Sequence, residues 1–147
     1  MDLRIVCKGD LSVDHHHSVE DTGIVLGKAV AEALGEKKGI RRYGNARIPM
    51  DEALVLADLD ISGRPYLVYN AEFKSCKAGD FDVCLAEEFF RAFTVSAGVT
   101  LHINCEYARN DHHMIEAMFK ALAVALRTAC DTDQRFADRV PSTKGII

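Results

Sequence analysis

The sequence has no tryptophan, only 3 prolines and 10 glycines, and 7% aromatic residues across 147 positions. With so few chain breakers and 48% hydrophobic residues, a collagen-like or low-complexity disordered chain is excluded and a packed core is expected. An excess of positive charge is absent too. Eighteen basic against 22 acidic side chains leave a formal charge of -4, so the overall field favours neither nucleic acid nor an anionic membrane surface. No stretch approaches the roughly 18 uncharged apolar residues that a membrane span needs. Met1-Asp2-Leu3-Arg4 also lacks the apolar run of a secretory signal. Cys7, Cys76, Cys84, Cys105 and Cys130 are odd in number and include no C-x-x-C pair, which argues against a disulfide scaffold and a zinc ribbon. Their mostly apolar neighbourhoods point to buried thiols in a reducing compartment, the cytoplasm, or a plastid if the source is a plant or alga. The length suits one domain.

Periodicity supplies the elements. Leu3, Ile5 and Cys7 alternate with Arg4, Val6 and Lys8 as in a half-buried strand. From about His16 to Leu34, Val19, Gly23, Leu26, Ala29, Val30, Ala33 and Leu34 recur at helical spacing, with Asp14 available as a cap and Gly35 as a stop. Strands are predicted from Leu54 to Ile61 and from Tyr66 to Tyr69, joined by the turn Ser62-Gly63-Arg64-Pro65. A helix from about Phe81 to Ala97, a strand through Val99, Leu101 and Ile103, and a helix from Asp111 to Cys130 complete the order. In that last helix Ile115, Met118, Phe119, Leu122, Ala125 and Leu126 are placed inward. The sequence of elements predicts helices packed on sheet in an α+β fold.

His16-His17-Ser18-Val19-Glu20 resembles His112-His113-Met114-Ile115-Glu116 at an offset of 96 residues. The same offset places Leu26 on Leu122, Ala29 on Ala125, and Leu3, Ile5 and Cys7 on Val99, Leu101 and Ile103. Two full units of that length need about 190 residues, so roughly 45 residues that would precede Met1 have no counterpart. The chain reads as one domain of two repeats, a partial first over about 1–45 and a second with its tail over about 46–147.

On a helix, residues four apart share a face, so His16 with Glu20 and His112 with Glu116 can each offer an imidazole nitrogen and a carboxylate to one cation. Adjacent residues stand about 100° apart around the axis, which turns His17 and His113 toward a second metal or another chain. A single H-H pair also fits surface histidines at a helix start, and a tag would explain the first cluster alone. Neither explains the recurrence of H-H-x-x-E. Imidazole and carboxylate together suit Mn, Fe or Zn, and spacing does not choose among them. The motif is not the H-E-x-x-H of zinc proteases. A second constellation, Arg41-Arg42, Arg64 and Ser142-Thr143-Lys144-Gly145, offers guanidinium forks, a hydroxyl and an ammonium to a phosphate ester, or else solvated surface charge.

The sequence resembles the imidazoleglycerol-phosphate dehydratase family. The resemblance rests on Gly9-Asp10-Leu11, His16 to Asp21, Gly39-Ile40-Arg41-Arg42-Tyr43-Gly44 and Pro49-Met50-Asp51-Glu52-Ala53. It continues through Asp60 to Tyr66, Glu87-Glu88-Phe89-Phe90, His112 to Ala117 and Val140 to Gly145, in family order over essentially the whole chain. It implies two similar α+β half-domains of sheet backed by helices, like domain 2 of ribosomal protein S5, here with the first half truncated. It implies two Mn²⁺ per active site and a homo-oligomer, a 24-mer, with metal sites at subunit contacts. By position, His16, His17, Glu20, Glu88, His112, His113 and Glu116 match the metal ligands, although many members carry histidine where Glu88 stands. Glu20 and Glu116 are also the implied catalytic carboxylates. Arg42, Arg64, Ser142 and Lys144 match the phosphate-binding positions. His15 stands where an acidic residue is usual and is not carried over.

The implied reaction removes water from D-erythro-imidazole-glycerol phosphate to give imidazole-acetol phosphate in histidine biosynthesis. The family's opening strands, its helix carrying an L-D-H-M ligand motif and an upstream acidic residue have no match in this sequence. The rival expectation is therefore a metal-binding, oligomerising chain that does not turn over. A phosphate-ester enzyme of another specificity is the third reading.

Overall fold

Two neighbouring strands with a tight turn between them form the edge of the sheet. β1 (Tyr43–Met50) and β2 (Ala53–Asp60) pair antiparallel from Tyr43↔Asp60 to Met50↔Ala53 around the two-residue turn Asp51-Glu52. The computed structural model describes residues 3–147, with Phe136 described by its backbone alone. β3 (Tyr66–Asn70), the short hairpin β4 (Lys77–Ala78) and β5 (Phe81–Asp82), and β6 (Thr100–Tyr107) follow; helix α1 (His16–Leu34) precedes β1, α2 (Cys84–Ala97) lies between β5 and β6, and α3 (Asp111–Cys130) follows β6. The main sheet has the order β1-β2-β6-β3, with β6 antiparallel to β2 and parallel to β3. Among the described residues, no helix is long and apolar enough to cross a membrane.

One face of this sheet is buried. Val55, Ala57, Leu59, Leu101 and Ile103 point to Phe90 and Phe93 of α2 and to Met118, Ala121 and Ala125 of α3. α3 lies across β1 and β2, and its Ala117, Ala121, Ala125 and Ala129, four residues apart along one face, are fully buried. The small stripe lets the helix backbone approach the strand, and at Gly44 the approach is closest: a methyl group there would stand 1.9 Å from the Ala125 carbonyl oxygen. Phe119 joins the helices, its ring 4.8 Å from Phe89 and 4.9 Å from Phe90 between centroids.

α1 touches the rest of the molecule mainly through α2. A methyl at Gly23 would meet the Phe89 carbonyl oxygen at 2.8 Å, and one at Gly27 the Phe93 carbonyl oxygen at 2.7 Å. These two glycines set a close crossing, and the residue order at both contacts shows that α1 and α2 run parallel. The remaining face of α1 is open, with Val25 exposed and Ala29 and Ala33 not buried as the periodicity predicts.

Several expectations are corrected. Residues 3–7 form no strand; Leu3, Ile5 and Val6 are 52–71% exposed, because no neighbouring strand among the described residues pairs with them. β2 and β3 are not neighbours, since β6 lies between them. The second helix begins at Cys84, because Phe81 and Asp82 pair in the small hairpin. Ile115 is only partly buried and Phe119 is 36% exposed, both facing the gap toward α1 rather than the sheet. Of the cysteines, Cys7, Cys76 and Cys84 are exposed and all five are free thiols.

Candidate active site

Both H-H-x-x-E motifs open a helix, for different local reasons. At α3, Asn110 is the cap: its side-chain oxygen accepts from the backbone N–H of His112 at 2.8 Å and of His113 at 3.3 Å. At α1, Asp14 accepts from the N–H of His16 at 2.8 Å from one position before the N-cap residue His15. Asp111, nearly buried, accepts from the backbone N–H groups of Lys74 and Ser75 at 3.1 and 2.9 Å, tying the loop after β3 to the start of α3.

The two helix starts lie at the same end of the molecule. Ser18, Val19 and Thr22 of α1 face His112, Ile115 and Phe119 of α3 across a cavity of about 460 Å³. Farther along, Val30 and Leu34 face Leu126 and Cys130, so α1 and α3 run side by side in the same direction. Within each motif the i, i+4 pair meets: His16 Nε2 is 3.8 Å from Glu20, and His112 Nε2 is 3.4 Å from Glu116. The adjacent imidazoles diverge, with ring planes 87° apart for His16 and His17 and 65° apart for His112 and His113.

Each diverging histidine finds its own carboxylate. His17 Nδ1 lies 3.0 Å from Asp10, a contact that raises the imidazole pKa and lowers that of the acid. His113 Nδ1 lies 2.9 Å from Glu52, with Asp51 at 3.8 Å from Nε2. The hydrogen bond to His113 draws Glu52 down to about 2 and, in return, raises His113 above the ordinary imidazole value. Glu116 is lowered chiefly by Lys120, whose ammonium donates to it at 2.7 Å.

Asp51 and Glu52 were not among the site residues expected from sequence. With His113 they place one donor atom each within 4.8 Å of one another. Glu52 also keeps one buried carboxylate oxygen, Oε1, without a hydrogen-bond partner. An orphaned anionic oxygen beside an imidazole and a second carboxylate is a donor set suited to a divalent cation of the Mn, Fe or Zn type. The available signal was an acidic pair in the two-residue turn of a hairpin, with Asp51 at φ 48°. Glu88, by contrast, sits half-buried on α2 and makes no hydrogen bond or ion pair among the described residues.

The phosphate candidates gather at the far end of the β1–β2 hairpin. Arg42 immediately precedes β1, Arg64 follows β2 in an exposed turn, and Ser142 and Lys144 lie in the tail after α3. Ser62 Oγ accepts from the Arg64 N–H at 3.1 Å, and Thr100 Oγ1 donates to the Arg64 carbonyl at 3.0 Å, so the turn is fixed while the guanidinium is free to solvent. Lys144 N–H donates to Ser142 Oγ at 3.3 Å. Eight residues of strand separate this end from Glu52 and His113, a span of roughly 25 Å. One chain therefore does not bring the candidate metal donors Glu52 and His113 and its phosphate candidates to the same small molecule.

The family model described as imidazoleglycerol-phosphate dehydratase matches residues 1–126. The chain belongs to the imidazoleglycerol-phosphate dehydratase family. An imidazoleglycerol-phosphate dehydratase of Brucella suis is 54% identical over all 147 residues and 73% of its own length, and that of Acetivibrio thermocellus is 58% identical over 99% of this chain and 74% of its own. The crystal structure of the dehydratase from Staphylococcus aureus superposes with a TM-score of 0.81 at 46% identity, over 87% of this chain and 72% of the other. The Pyrococcus furiosus dehydratase, solved in complex with (S)-C348, gives 0.80 at 43% identity, over 90% and 72%. The family match ends before Ser142 and Lys144, whereas the Brucella suis dehydratase aligns through them.

Proposed function

We propose that this chain is a hydro-lyase of histidine biosynthesis that dehydrates D-erythro-imidazole-glycerol phosphate to imidazole-acetol phosphate, acting in the cytoplasm with two Mn²⁺ per active site. The observation that carries this reading is the pair of parallel helices whose H-H-x-x-E starts face the same end of a family-member fold. His16, His17, Glu20, His112, His113 and Glu116, with Glu88 as a further carboxylate, would hold the metals, and the orphaned oxygen of Glu52 fits the same role. When bound, the metals supply Lewis acidity to the substrate's imidazole ring.

The chain's own groups do the rest. Dehydration takes a carbon-bound proton and the neighbouring hydroxyl, and leaves an enol that becomes the ketone. Glu20 and Glu116, each within reach of an imidazole on the same helix face, can take up that proton and return one to the departing hydroxyl. Arg64, Ser142 and Lys144, with Arg42 behind them, fix the phosphate so that the ring is presented in register.

The separation of roughly 25 Å between the two ends of the hairpin supports a site shared between copies of the chain, with a homo-oligomer, a 24-mer by family resemblance, as its form. The repeat arithmetic supports the division into a partial first unit over about 1–45 and a second over about 46–147. A second reading, a metal-binding and oligomerising chain without turnover, is favoured by one observation: Leu3, Ile5, Val6 and Val25 leave an apolar strip open along α1. The test between the two is Mn²⁺-dependent dehydration of imidazole-glycerol phosphate and its loss in His112→Ala.

A further inference from the structure

Arg42 is the most constrained of the phosphate candidates. Its backbone N–H donates to the Ala129 carbonyl at 2.9 Å and its carbonyl accepts from Ile61 at 3.0 Å, holding a non-glycine residue at φ 74°. Its side chain, 14% exposed, donates from Nε to Asp60 Oδ1 at 2.7 Å and from Nη2 to Asp60 Oδ2 at 3.2 Å. Nη1 donates to the Pro141 carbonyl at 2.9 Å. Three of the five guanidinium N–H groups are thus committed inside the protein, and the adjacent Asp60 carboxylate, itself 18% exposed, neutralises the charge. A cation so engaged is a weak primary ligand for an anion. It is well suited to hold a chain segment.

The segment it holds bears Ser142 and Lys144. The tail is pinned on one side of Arg42 by the Gly39 N–H to the Arg139 carbonyl at 3.0 Å. On the other side it returns to the Ser62–Arg64 turn, where a methyl group at Gly63 would stand 2.9 Å from the carbonyl carbon of Ile147. The Pro141 carbonyl clasped by Arg42 lies between these two contacts along the tail. We propose that Asp60 is a positioning residue of the phosphate grip: by a bidentate pair it aims Arg42 at the Pro141 carbonyl and so seats Ser142 and Lys144 next to Arg64. This rests on the reading of Arg64, Ser142 and Lys144 as the phosphate ligands. Asp60 itself touches no phosphate, and the electrostatic part of the grip falls on Arg64 and Lys144.

The probe is inorganic phosphate, titrated calorimetrically into the full chain and its variants, with Mn²⁺ binding at the opposite end of the hairpin as an independent check that each variant is folded. Asp60→Asn keeps the shape of the side chain and removes a negative charge. A purely charge-balancing Asp60 would make this variant bind phosphate more tightly, whereas the positioning role makes it bind more weakly. Losing one charged contact from the tail raises the dissociation constant about tenfold, with Mn²⁺ binding unchanged. Arg42→Lys retains the charge but not the fork, and is expected to weaken phosphate to a similar degree. Phosphate binding by Asp60→Asn and Arg42→Lys as tight as or tighter than the parent, while Arg64→Ala and Lys144→Ala weaken it, would overturn the positioning role and leave the phosphate reading standing. If Arg64→Ala and Lys144→Ala bind phosphate like the parent, the phosphate reading itself fails and takes this inference with it.

Discussion

The seating of α3 on β1 sets the core of the fold, and Gly44→Ala probes it. A methyl group at Gly44 would lie 1.9 Å from the Ala125 carbonyl oxygen, 2.7 Å from the Ala129 nitrogen and 2.9 Å from the Ala125 carbonyl carbon. All three are backbone atoms of a helix, so no side-chain rotation relieves the overlap. Reaching ordinary contact requires α3 to lift by more than 1 Å, on the order of the shortfall from van der Waals distance. Such overpacking against a rigid partner costs about 3 kcal/mol, which for a domain of this size lowers Tm by roughly 6–12 °C. The overlap at Ala125 lies roughly 18 Å along α3 from His113, so the His113–Glu52 pair, 2.9 Å apart across the β1–β2 turn, keeps its geometry and Mn²⁺ affinity stays that of the parent while stability falls. Calorimetric melting and equilibrium dialysis of Mn²⁺ on the parent and on Gly44→Ala provide the assay. A variant with the parent's Tm would refute the close seating of the helix, and a variant with much weaker Mn²⁺ binding would refute the separation of the two ends.

Two further outcomes follow from the site's polar contacts. In the metal-free protein, Glu52, drawn to about 2 from an ordinary 4.5, stabilises the fold above pH 4.5 and loses that contribution as the pH falls toward 2. His113, raised above 6.5, stabilises below 6.5 and loses its contribution as the pH rises through its elevated value. The pair's effect on the urea midpoint is therefore largest between pH 4.5 and 6.5, and a Glu52→Gln variant showing the parent's pH profile would contradict it. Asn110→Ala removes the cap that accepts from His112 and His113, at a cost of about 1 kcal/mol in unfolding free energy. Asn110→Asp should retain that stability, and equal loss in both would show that the cap is not the cause.

The helix at Asp111–Cys130 was legible to the residue from its apolar stripe, and the structure adds the Asn110 cap at its start. The pairing within each H-H-x-x-E motif was legible for a related reason: spacing on a helix fixes which side chains meet, and His112 does meet Glu116. β1 was not, since Gly44 and Pro49 read as breakers and its alternation is carried partly by Ala46 and Asn45, while the reason for the glycine is a helix some 80 residues later. Asp51 and Glu52 escaped for a related reason. Their partner His113 lies 61 residues from Glu52, so only the folded hairpin brings them together. The clasp of Arg42 by Asp60 was equally hidden, because a local sequence shows a guanidinium but not which carboxylate neutralises it. The alternation at residues 3–7 was real, but a strand needs a neighbour to accept its hydrogen bonds, and none is present among the described residues.

The central claim is tested most directly by incubating the Mn²⁺-loaded chain with imidazole-glycerol phosphate and following, by mass spectrometry, the loss of one water to the ketone. The account predicts Mn²⁺-dependent product that disappears in His112→Ala. A folded, metal-loaded, oligomeric sample that forms no product would contradict it and identify the chain as the non-catalytic form.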